Sequence, residues 1–254
     1  MILKLVDAHA HFDSLELESL PLDLDQSSIS VISNSVNVES SVRNLELAKK
    51  FASIVPFVGI HPEIFRPSRN DFSKVDLDGM VEKVATLLKF AKGIGEIGLD
   101  PSYGRVDNQR YLFSKILETA EKTRHPVTLH SRDAIAVVLE ILSTYNLKSR
   151  ILFHWFAGAE SELKRVHDAG MYTSFGPSII FSKRIGTLLQ LSDRRYILAE
   201  TDSPTRFRSL LDSPSNPTLV SSVVFQMGLL LNLPFDQTCE LTNTNAENYL
   251  TTQD

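Results

Sequence analysis

Short apolar runs alternate with longer stretches of helical spacing along this chain. The runs Leu3–His9, Ile29–Ser33, Ile54–Ile60, Gly93–Leu99, Val127–His130, Ile151–His154, Met171–Phe175 and Tyr196–Glu200 read as strands. Between them, Val81, Val84, Leu87, Leu88 and Ala91 recur at three- and four-residue steps, as do Leu112, Ile116 and Ala120. Alternation of this kind predicts βαβ units and a parallel sheet. About eight units in 254 residues favour an α/β fold with one (β/α)8 TIM barrel over an open, doubly wound sheet. No Gly/Ser linker or low-complexity tract divides the chain, so residues 1–254 read as a single domain. Two long polar stretches, Arg66–Asp78 and Thr205–Thr218, read as loops that follow strands, which places both on the active face of such a barrel.

The strand ends carry the chemistry. His9 and His11 lie two apart at the end of the first strand, a spacing that aims both side chains the same way. Alone, a His-x-His is weak evidence for metal. Glu96 lies within the fourth strand, His130 closes the fifth, His154 closes the sixth and Asp202 follows the eighth. Imidazole and carboxylate are ligands for divalent ions, and burying several carboxylates together without cations is costly. The set therefore predicts a metal site. The run Gly93-Ile94-Gly95-Glu96-Ile97-Gly98 matches a dinucleotide-binding pattern, but its glycines lie inside the apolar run rather than between a strand and a helix. Small residues here are expected to make room for an inward Glu96.

Charge and composition narrow the picture. Lys plus Arg number 26 against 31 Asp plus Glu, a net charge of −5. Proteins that hold nucleic acid by surface charge are usually basic, so broad electrostatic binding is disfavoured. A local site whose bound cations supply the positive charge is compatible with this count. The single cysteine, Cys239, excludes a disulfide framework and a Cys-rich zinc site, and with no long apolar segment it leads to the expectation of a cytoplasmic protein with no membrane association.

The motifs Asp7-x-His9-x-His11, Gly59-Ile60-His61-Pro62, Gly95-Glu96-Ile97-Gly98-Leu99-Asp100, Leu129-His130-Ser131-Arg132-Asp133-Ala134, Phe153-His154-Trp155-Phe156-Ala157-Gly158, Glu200-Thr201-Asp202-Ser203-Pro204 and Thr244-Asn245-Ala246-Glu247-Asn248 occur in this order across nearly the whole chain. Together they resemble the TatD family of metal-dependent hydrolases. The resemblance implies an amidohydrolase-like barrel with two divalent metal ions (Mg, Mn or Zn): His9, His11 and Asp202 on one, His130 and His154 on the other, Glu96 bridging. It also implies nuclease activity on DNA, often exonucleolytic, with no stable protein partner. The chain departs from the family pattern where Trp155 replaces the Cys that many members carry, and where Ser215-Asn216-Pro217, preceded by Arg206 and Arg208, replaces an Arg-Asn-Glu-Pro stretch. Both departures lie at the expected substrate mouth.

Within that frame, Asp202 is the candidate general base and Glu96 the second catalytic carboxylate. Asp7 and Glu200 share strand parity with His9 and Asp202, and read either as acceptors that orient ligand histidines or as ordinary barrel-end residues. His61 and Asp100, with Arg132 and Arg206, are candidate substrate contacts, since arginine suits phosphate; Arg66 and Arg69 also fall on mouth loops. Trp155 and Tyr103 could stack a nucleobase or simply pack. His125 and His167 lie at helix ends away from the mouth and receive no chemistry. The leading expectation is a deoxyribonuclease acting on single strands or strand ends. The alternative is an ester or amide hydrolase on the same site, such as a deacylase of misacylated tRNA. A non-enzymatic scaffold fits poorly with a complete ligand set.

Overall fold

The computed structural model describes residues 4–15, 28–67, 72–208 and 210–251; Arg69 lies outside them. Eight strands, β1 (Leu5–Ala10), β2 (Ile29–Ser33), β3 (Ile54–Val58), β4 (Gly93–Gly98), β5 (Val127–His130), β6 (Ile151–Phe153), β7 (Tyr172–Phe175) and β8 (Ile197–Ala199), form one sheet in sequence order. Every neighbouring pair is parallel. The ring is joined between its first and last members by backbone bonds just past β8: Asp202 N–H donates to the His9 carbonyl (2.9 Å), and His11 N–H to the Ser203 carbonyl (2.7 Å). The architecture is the expected (β/α)8 barrel.

The described helices are α1 (Val38–Lys50), α2 (Lys74–Leu87), α3 (Val106–Thr123), α4 (Ile135–Leu142), α5 (Glu160–Asp168), α6 (Lys183–Leu191), α7 (Val220–Leu231) and α8 (Phe235–Leu250). None of them alone is long and apolar enough to cross a membrane. The periodic positions behave as expected: Leu112, Ile116 and Ala120 are buried along one side of α3, and Val84 and Leu88 are buried at the end of α2. One expectation needs correction. The stretch Arg66–Asp78 is not loop throughout, because α2 starts at Lys74. Its start is set by a capping box: Ser73 Oγ accepts from Asp76 N–H (3.3 Å), and Asp76 Oδ2 accepts from Ser73 N–H (2.9 Å). The strand expected from Tyr196 begins one residue later, since residues 194–196 form a 3-10 turn.

Helix α8 closes the end of the barrel remote from the histidines. Tyr249 and Ala246 pack inside with Ile32, Phe57, Leu152, Tyr172 and Leu198. The Tyr249 hydroxyl meets Thr128 Oγ1 at 2.9 Å. Thr128 precedes His130 by two residues on β5, so both point inward, one layer apart. The interior below the histidines is thus filled, and the chemistry is confined to the mouth.

Candidate metal centre

His9 sits within β1 and His11 just beyond it, Glu96 inside β4, His130 at the last residue of β5, His154 one past β6 and Asp202 three past β8. The barrel brings all six together. His9 Nε2 and His11 Nε2 are 3.4 Å apart; each lies 3.3–3.4 Å from Glu96 Oε2 and 3.4 Å from Asp202 Oδ1. His9, His11 and Glu96 lie close enough to hold one ion together, and Asp202 Oδ1 approaches both imidazoles of that group. The other oxygen of Glu96 faces a second set. Glu96 Oε1 lies 2.7 Å from His130 Nδ1, 2.8 Å from His154 Nε2 and 3.3 Å from His61 Nε2.

What sits behind each imidazole determines which nitrogen keeps its proton. His11 Nδ1 is 3.1 Å from the Asn34 carbonyl, His130 Nε2 is 3.0 Å from Asp100 Oδ2, and His154 Nδ1 is 3.7 Å from Glu200 Oε2. The Asn34 carbonyl and Asp100 hold the far nitrogens of His11 and His130 as N–H and leave the facing nitrogens with a free lone pair, as a metal ligand requires; Glu200 faces His154 Nδ1 from beyond hydrogen-bond reach. His61 is arranged the other way. Its Nδ1 accepts from Glu63 N–H (3.0 Å), so the neutral ring carries its proton on Nε2, toward Glu96 and the cavity. Although His61, Glu96 and His130 are close enough to hold an ion together, this tautomer makes His61 a donor rather than a ligand.

The electrostatics favour positive charge between these groups. Burial opposes ionisation of His11, yet Asp202 and Glu96 outweigh it and lift the ring to about 9. Burial likewise opposes the charged form of His154, and Glu96 and Glu200 overcome it. Burial works to raise Glu96 and Asp202, but the surrounding histidines hold both carboxyls well below the ordinary carboxylate range. A field that draws protons onto buried rings also draws a cation. The donor set fits divalent metal.

Several expected roles change. Asp100 is fully buried and is not a substrate contact: its Oδ1 accepts from Ser102 N–H (2.9 Å) and hydroxyl, and its Oδ2 holds His130. Burial works against the charged carboxylate, but His130 and Ser102 prevail and hold its pKa at about 2. Asp7 does not orient an imidazole. It accepts from Thr201 N–H (2.9 Å), the Thr201 hydroxyl and the His9 backbone N–H (3.3 Å), tying β1 to the segment after β8. Glu200 does lie behind His154, with Ser174 donating to it at 2.6 Å. Arg206 is exposed and does not line the mouth cavity. That cavity, about 1190 Å³, is lined by His61, His130, Arg132, His154, Trp155, Asp202 and neighbouring residues. The glycines around Glu96 make room for its neighbours rather than for its own side chain: a side chain at Gly95 would meet Asn34 and Thr128. A side chain at Gly59 would meet the Gly95–Glu96 peptide, and Gly98 (φ 147°) lies against the His130 carbonyl. Asn34 and Thr205, whose hydroxyl donates to Asp202 Oδ2 at 3.0 Å, are partners not expected from the sequence.

Fold and donor set define a barrel of the metal-dependent hydrolase class. The model of the TatD related DNase family matches residues 6–251, and the chain belongs to that family. It is 26% identical over 227 residues to the uncharacterized metal-dependent hydrolase MJ1582 of Methanocaldococcus jannaschii, covering 85% of this chain and 86% of that one. It is also 26% identical over 263 residues to the human deoxyribonuclease TATDN3, covering 95% and 93%. Among solved structures, the TatD homologue YjjV of Escherichia coli K12 superposes with a TM-score of 0.86 at 22% identity, over 98% of both chains.

Proposed function

We propose that this chain is a two-metal phosphodiesterase that hydrolyses DNA from strand ends or as single strands. The observation that carries the reading is the division of Glu96, one oxygen facing His9 and His11 and the other facing His130 and His154. Divalent ions held there would lower the pKa of a bound water and offset the charge of a phosphate. The imidazole-rich donor set favours a zinc-like ion over Mg²⁺.

The chain's own groups supply the rest. Asp202 is the more open carboxylate of the set, with 13% side-chain exposure against 2% for Glu96, and it lines the cavity. Thr205 fixes its Oδ2, and it is assigned as the base that accepts the proton of the attacking water. His61 presents Nε2–H at the cavity wall, placed to donate to a phosphate or leaving-group oxygen. Arg132 is exposed on the cavity with no ion-pair partner among the described residues, and suits a phosphate oxygen. The name of the human relative and of the family agree with a DNA substrate. A second reading, an ester or amide hydrolase, draws on Asp133, Glu63 and Glu162, which place carboxylates on the same cavity and suit a less anionic substrate.

The test is hydrolysis of a short single-stranded DNA, labelled at either end, with Zn²⁺, Mn²⁺ or Mg²⁺, beside metal analysis of the protein and of Glu96→Gln. Two ions per chain and metal-dependent laddering, both lost in Glu96→Gln, are expected. A metal-filled protein inert on DNA would transfer the assignment to ester and amide substrates.

A further inference from the structure

Trp155 directly follows His154 and adopts a left-handed backbone, φ 44°, which a bulky residue rarely takes. The segment around it is braced. Trp155 N–H donates to Ser174 Oγ (3.2 Å), Phe156 N–H to the Ser174 carbonyl (3.0 Å), and Arg184 donates to the carbonyls of Ala157 and Gly158 (3.0 and 3.1 Å). One face of the indole stacks on buried Phe207 with ring centroids 5.4 Å apart and planes at 27°. The indole itself is only half-buried and lines the mouth cavity together with His154 and Asp202. Its N–H has no partner among the described residues. A tryptophan used only for packing would be covered on both sides.

The other aromatic on the rim is differently engaged. The Arg66 guanidinium lies 4.9 Å over the Tyr103 ring and donates to its hydroxyl (3.2 Å), while His61 packs edge-on at 5.9 Å. Trp155 is thus the aromatic surface left available beside the donor set.

We infer that Trp155 is the platform on which a base of the bound strand stacks, making the site selective for base-bearing nucleotides over abasic phosphodiesters. This rests on the nuclease reading above. The indole is held from behind by Phe207 and cannot retreat from a planar ligand. Stacking on it sets the strand's approach without reading which base is present, because every base offers a π-face.

Trp155 is the only tryptophan in the chain, so its fluorescence reports the contact directly. The metal-loaded protein is titrated with a hydrolysis-resistant phosphorothioate oligothymidylate and with the same backbone built from abasic residues, both carrying a distal label for anisotropy. The base-bearing strand should quench the tryptophan and bind roughly 5- to 100-fold more tightly. Trp155→Leu, which keeps an apolar contact to Phe207, should bind both strands equally and weakly, and Trp155→Phe should retain most of the preference. Equal affinity of the wild type for both strands, with unchanged fluorescence, would overturn the inference and leave the nuclease reading standing. Failure of both strands to bind the metal-loaded protein would remove the nuclease reading and this inference with it. The wild-type titration decides the matter even if a variant does not fold.

Discussion

His61 differs from its neighbours by the position of one proton. His11 and His130 have acceptors behind them, while His61 has the Glu63 N–H donor. His61→Ala should therefore keep its metal content while turnover falls about 100-fold, the range of a lost general acid or donor. His61→Gln, which restores a donor near the same place, should recover part of it. Loss of an ion in the alanine variant, by elemental analysis, would make His61 a ligand instead. Asp100 acts through His130, and Asp100→Asn is expected to weaken metal retention about 10- to 100-fold in a chelator competition. The convergence of the six candidate donors was legible because they stand at or near strand ends, which the barrel gathers at one mouth. Asp100 was misread because Pro101 and Ser102 turn the chain immediately after it and draw its carboxylate inward, a path that periodicity does not describe. Asp7 had the right parity, but its partner Thr201 lies 194 residues away. Asn34 takes part through a backbone carbonyl, which leaves no mark on residue type.

At the scale of elements, all eight strand ends fall within two residues of the expected positions. The misplaced start of α2 had a readable signal in Ser73 and Asp76, obscured by the polar residues before it. Helix α5 contributes a pH-sensitive joint. His167 Nε2 lies 3.0 Å from Thr173 Oγ1 on β7, and Nδ1 accepts from Asp193 N–H (3.1 Å) just before β8. Burial lowers this imidazole from 6.5 to about 4, outweighing Asp193 and Asp168. Between those values the unfolded chain binds a proton that the folded chain refuses, so stability rises with pH there. His167's contribution is complete above about 6.5 and is lost as pH falls toward 4. Urea melts at pH 7 and pH 4.5 should show a smaller acid loss for His167→Gln than for the wild type.

For the whole molecule, eight apolar runs sufficed to indicate the barrel, but not how its far end is stoppered. The terminal motif around Asn245 was visible as sequence, yet its structural use was not: Asn245 Nδ2 donates to the carbonyls of Arg194 and Ile197 (2.7 and 2.8 Å), seating α8 so that Tyr249 enters the interior. Tyr249→Ala removes a fully buried ring and orphans Thr128. A loss of about 3–5 kcal/mol is expected from denaturant melts, with the mouth chemistry of the surviving folded protein largely retained.

The join between the first and last strands has a further consequence. His9 and His11 reach the donor set from one side of that join and Asp202 from the other, while two backbone bonds, Asp202 to His9 and His11 to Ser203, cross it at the mouth.

 An ion held there would fasten the two ends of the sheet to one another, as a clasp closes a bracelet. Ligands that bind only the folded chain stabilise it in proportion to their supply. Metal availability would then govern how long each molecule survives as well as how fast it works, and a chain starved of metal would be the first to be cleared.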